Sequence, residues 1–113
     1  MQTRRSGALR CFVWAGTFAA LLAACEQHAS SGIERGRRVY VANCTVCHNT
    51  DPALPGSIGP AVAGSPRALI EARVLRAEYP PGYTPKWKTH AMRAFPQLKN
   101  QIGDLYAFLA AAK

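Results

Sequence analysis

This 113-residue chain has no second pair of cysteines at metal-ligand spacing: Cys44 and Cys47 are three apart, while Cys11 and Cys25 lie in or at the end of an apolar N-terminal run. A structural zinc site draws four N or S ligands, ordinarily as two separated pairs, so zinc is not indicated. No alternating strand pattern surrounds Cys44 and Cys47, which removes a thioredoxin-like dithiol set beside a βαβ unit. No apolar run reaches the roughly 20 residues that a membrane-spanning helix needs; the stretch from Cys11 to Ala24 has 14. Acidic residues are scarce, six against 14 lysines and arginines. The cations nevertheless form no basic stripe interleaved with aromatics, so nucleic acid is not indicated as a partner. There is no internal repeat, and after Met1 the only methionine is Met92.

Against these absences stands Cys44-Thr45-Val46-Cys47-His48. Two thiols three residues apart at a helix end can each form a thioether to one vinyl group of the same porphyrin. The histidine that follows is then placed beneath the iron as its proximal ligand. C-x-x-C-H is the attachment pattern of a c-type haem. Covalent attachment of this kind belongs to an extracytoplasmic compartment, and the N-terminus is suited to export. Arg4, Arg5 and Arg10 form a positive n-region ahead of the short apolar core, as in a signal peptide over residues 1–24. The end of that segment, Leu22-Ala23-Ala24-Cys25, resembles the bacterial lipobox, which implies cleavage before Cys25 and lipidation of its thiol; an ordinary small-residue cleavage site is the alternative. Acyl chains in combination anchor stably where one alone binds marginally.

Loss of residues 1–24 removes three cations and no acids, leaving +5 on the mature chain. Residues 25–32 then form the anchor cysteine and a short polar linker, in which His28 is a solvated residue. A seven-residue linker reaches at most about 25 Å, which keeps a lipid-anchored domain near the membrane. Residues 33–113 form one all-α domain with three helices. The first is expected from Ile33 to Cys47. The second should open with Ser65 as N-cap and Pro66 at its first position, carry Leu69, Ala72, Val74 and Leu75, and stop before Pro80-Pro81-Gly82. The third should follow Asn100 as cap, with Ile102, Leu105, Tyr106 and Leu109 as an apolar stripe at i, i+3, i+4 and i+7. The intervening stretches, residues 49–64 and 79–95, are rich in Pro and Gly. Loops of that length need something to wrap, and here that is the haem. A domain this small buries a marginal core unaided, so cofactor and core are expected to be one object.

With these residues placed, the chain resembles class I cytochrome c over the whole mature domain. Gly36 and Tyr40 precede Cys44 by eight and four residues, where the family has a small residue and an aromatic on its first helix. Leu105 and Phe108 match its last helix. The resemblance implies that these helices cross closely at Gly36, and that the Pro60 carbonyl of Gly59-Pro60 accepts a hydrogen bond from His48, fixing its ring and strengthening it as a donor to iron. It also implies that Met92, followed by Phe95-Pro96, supplies a soft thioether as sixth ligand. His90, two residues earlier, is the competing ligand. The resemblance further implies that Tyr83 and Trp87 hydrogen-bond a haem propionate; covering the haem edge is the alternative.

The function implied is electron transfer through one covalent haem c with His48 and Met92 as axial ligands, rather than catalysis at the iron. Lys86, Lys88, Arg93 and Lys99 surround Met92 in sequence and would steer an acidic redox partner, donor or acceptor. A haem enzyme or ligand-binding protein with a labile sixth ligand, and a fixed electron-transfer subunit of a membrane oxidoreductase, are the alternatives. The expected location is the periplasmic face of a bacterial membrane, inner or outer.

Overall fold

The computed structural model describes residues 31–112; the expected signal segment, Cys25, His28 and the expected linker up to residue 30 lie outside the described residues. Helix α1 spans Gly32–Asn43 and is capped by Ser31, whose Oγ accepts the Glu34 N–H at 3.2 Å. Its buried face carries Gly36 and Tyr40. The helix ends four residues before the predicted Cys47. Thr45 Oγ1 donates to the Val41 carbonyl (2.9 Å), taking the acceptor that a continuing backbone would use. The Cys44 N–H still closes on Tyr40 O (2.8 Å), and the N–H groups of Cys47 and His48 both fold back onto Cys44 O at 3.1 and 2.9 Å. The C-x-x-C-H segment is therefore a tight turn hung from the helix end.

Helix α2 spans Arg67–Arg76. It starts one residue later than predicted, because Ser65 Oγ donates to Val62 O (2.7 Å) rather than capping, and the Pro66 carbonyl receives the first N–H groups, those of Leu69 and Ile70. The helix ends well before Pro80. Ala77 adopts a left-handed conformation, φ 57°, with its N–H on the carbonyls of Ala72 and Arg73. A Cβ in that region costs on the order of 1 kcal/mol. Ala77→Gly should therefore stabilise the holoprotein by about that amount, read as a higher denaturant midpoint at unchanged slope.

Helix α3 spans Ile102–Ala111 and is preceded by a 3₁₀ segment, Pro96–Gln101. Asn100 lies inside that segment and caps nothing. Ile102, Leu105 and Leu109 are buried, but Tyr106 is exposed. The buried face of α3 is rotated toward Phe108, whose ring meets Tyr40 at 5.4 Å between centroids, and Tyr106 falls at its far edge.

All the described regular structure is helical, in the arrangement expected of a class I cytochrome c fold. Helices α1 and α3 approach backbone to backbone at Gly36. A Cβ there would overlap the Asp104 carbonyl and come within 2.8 Å of Phe108 Cβ. Arg35 clasps the Asp104 carboxylate beside the crossing through two bonds of 2.8 Å. The Arg35 guanidinium holds that carboxyl below its ordinary range, first by hydrogen bonding. Leu98 and Ile102 join Tyr40, Ile70, Val74, Leu105 and Leu109 in one apolar cluster. Backbone bonds fasten the long connections to it: Gly64 N–H to Leu109 O (2.8 Å) and Phe95 N–H to Val74 O (2.6 Å).

Candidate functional site

Both long connections and all three helices line one pocket of about 310 Å³, and Cys44, Cys47 and His48 stand on its wall. The segment from Gly56 to Pro60 builds the floor beneath the motif. The N–H groups of Ile58 and Gly59 donate to Cys47 O at 3.3 and 3.0 Å, and Gly56 N–H donates to Gly59 O at 2.9 Å. Gly59 is buried against the imidazole itself. A Cβ there would lie 2.7 Å from His48 Nδ1 and 3.0 Å from Nε2, so the position requires glycine. The next carbonyl, Pro60 O, sits 2.9 Å from His48 Nδ1. A carbonyl only accepts, so the proton resides on Nδ1 and the lone pair on Nε2 is left as a metal donor.

The two thiols are half-buried and not joined by a disulfide. Burial, and then the neighbouring Cys47, push the Cys44 thiol up to about 11; a thioether would have no such proton. Tyr40 braces the turn from beneath. It is 1% exposed, and its hydroxyl donates to Asn49 O at 2.6 Å. Burial above all raises that phenol to about 12, so it remains a neutral donor.

Met92, partly buried and packed against the apolar cluster, lines the same pocket as His48. His90 is exposed and is not part of the pocket wall, so the structure does not bring the competing ligand to the site. Tyr83 and Trp87 line it, Trp87 from an exposed position; neither side chain has a hydrogen-bond partner among the described residues. Of the four cations, Lys86 and Arg93 line the pocket, whereas Lys88 and Lys99 do not. Val46 (79% exposed) and Ile58 give its margin an apolar surface.

Sequence reasoning missed Arg73 and Tyr79. The Arg73 guanidinium lies 4.2 Å over the Tyr79 ring, and Tyr79 stacks on Tyr83 at 5.6 Å. A cation four residues after Leu69, on the helix face otherwise given to apolar side chains, was the available signal for Arg73. Tyr79 had none, since loop closure alone brings it there.

The residues present fit a covalent haem. Two thiols, an imidazole with its tautomer fixed, a glycine that leaves room for the ring, and an apolar pocket wall occur together in one site. A protein-family model described as Cytochrome c matches residues 33–113. No curated protein and no solved structure matches the chain.

Proposed function

We propose, because this chain belongs to the cytochrome c family, that it is a membrane-tethered electron carrier with its iron held between His48 and Met92. Family membership brings one covalent haem c and haem-based electron transfer; Cys44 and Cys47 are the thiols spaced to attach it. When bound, the haem supplies a one-electron ferric/ferrous couple.

The chain's own residues set the terms of that couple. Pro60 holds the His48 ring in one orientation and raises its donor strength. Met92 offers a soft sulfur that favours the ferrous state and raises the potential. Leu69, Ile70, Val74, Leu105 and Leu109 keep water from the pocket interior. With His48 and Met92 both given to the iron, the chain would leave it no free site for a substrate, and electrons would pass at the pocket margin. Arg93, Lys88 and Lys99 lie in residues 79–99, which contain no acid, and this supports an acidic docking surface on the donor and acceptor. Cleavage before Cys25 and lipidation of that residue would hold the domain, residues 33–113, on the periplasmic face by residues 25–32. Among the described residues no helix is long and apolar enough to cross a membrane.

The observation that carries the axial assignment is that Met92 shares the pocket with His48 while His90 does not. In Met92→Ala, the long-wavelength sulfur-to-iron charge-transfer band of the ferric protein should vanish, and added imidazole should bind at once. An unchanged ferric spectrum in Met92→Ala would overturn the assignment.

A further inference from the structure

The segment 79–94, which carries Tyr83, Trp87 and Met92, has both ends fastened to α2. Glu78 N–H donates to Ala72 O at 3.2 Å and Phe95 N–H to Val74 O at 2.6 Å. Its only backbone bond of its own is the turn from Tyr83 N–H to Pro80 O. Among the described residues, one hydrogen bond joins its interior to the remainder of the protein. Lys86 Nζ donates to Ala61 O at 2.8 Å, across 25 residues of sequence. Ala61 directly follows Pro60, whose carbonyl holds His48. The lysine thus ties the stretch bearing the thioether to the stretch that orients the imidazole.

We propose that Lys86 is a positioning residue for the sixth ligand: its bond to the Ala61 carbonyl clasps segment 79–94 over the pocket and keeps Met92 engaged. The inference rests on Met92 as axial ligand. The physical basis is the anchoring pattern. A loop hydrogen-bonded to its surroundings at its two ends, with side-chain packing as at Tyr79 and Met92 in between, opens about those ends, and its central region samples the widest excursions. A single charge-assisted bond near the middle is worth little to global stability when exposed. It acts on the local opening of the loop, which is the motion that must precede displacement of Met92.

The test is the rate at which imidazole binds the ferric holoprotein, since binding there waits on departure of the native ligand. Lys86→Gln should bind about two- to five-fold faster than the parent, the share of one exposed charged hydrogen bond. Lys86→Arg, which keeps a cationic donor, should restore most of the parental rate. Amide exchange should rise within 79–94 in Lys86→Gln and stay unchanged in α1 and α3, with the thermal midpoint little moved. An unchanged imidazole rate in Lys86→Gln, or equal acceleration in Lys86→Arg, overturns the clasp. Met92→Ala serves as the reference. If the parent binds imidazole as fast as Met92→Ala, the ligand assignment fails instead, and the clasp falls with it.

Discussion

Replacing Cys44 and Cys47 together by alanine should yield a haem-free chain with no cooperative thermal transition. Apart from Pro52, nine apolar side chains are buried among the described residues, and six of them, Tyr40, Leu69, Ile70, Val74, Leu105 and Leu109, also line the pocket. Of these nine, Ala72, Leu98 and Ile102 are buried without facing it. The wall of the site and the hydrophobic core are thus largely the same atoms. A domain of this size buries too little apolar surface to offset its conformational entropy by a wide margin, so it has little reserve when one face of its core loses its packing partner. Calorimetry and near-ultraviolet circular dichroism of the haem-free variant are the measurements. A sharp unfolding endotherm with native aromatic signals would show that the polypeptide packs without its cofactor.

The second large effect is expected at the helix crossing. Gly36→Val should destabilise the holoprotein by about 3 kcal/mol, at the upper end for overpacking. The obstructing atoms are the Asp104 carbonyl and Phe108 Cβ. A backbone carbonyl inside a helix cannot rotate aside as a side chain can. Relief must come from separating α1 and α3, which also pulls Arg35 from Asp104 and the Tyr40 ring from Phe108. Gly103 is the matched control. It lies in the same α3, but a Cβ there meets nothing within 4 Å, so Gly103→Ala should leave stability level or raise it by up to about 1 kcal/mol through helix propensity. Urea titration of the two variants side by side separates the steric effect from a general intolerance of glycine replacement.

The architecture was legible in the sequence because its strongest signals are periodic or covalent. The stripe of Ile102, Leu105 and Leu109 and the pair of Pro-rich stretches marked helices and loops directly, and the five-residue motif demanded something for those loops to enclose. The five-residue motif marked Cys44, Cys47 and His48 for the pocket they line, whereas Pro60, Tyr83 and Trp87 were reached through the resemblance to class I cytochrome c and Met92 through that resemblance and its being the only methionine after Met1. The helix ends were not. Thr45 and Ser65 each settle a boundary by giving a hydroxyl proton to a carbonyl, and a hydroxyl in sequence does not announce whether it will cap, compete or face water. Tyr106 was assigned to the core by spacing alone, whereas the actual direction of α3 is set by Phe108 against Tyr40. Lys86 was indistinguishable from Lys88, since both are exposed lysines of one loop, and only the fold brings the Ala61 carbonyl beneath one of them.

Both ends of segment 79–94 hang from α2, at carbonyls two residues apart. The stretch that carries Met92 is therefore pinned at both ends to the C-terminal half of one helix, and the entry to α3 stays in place whatever the length between. Lengthening such a loop twofold costs only about 0.6 kcal/mol in closure entropy. The fold thus separates two kinds of change: substitutions in the helical frame disturb the whole, while residues 79–94 can be rewritten without redrawing the frame.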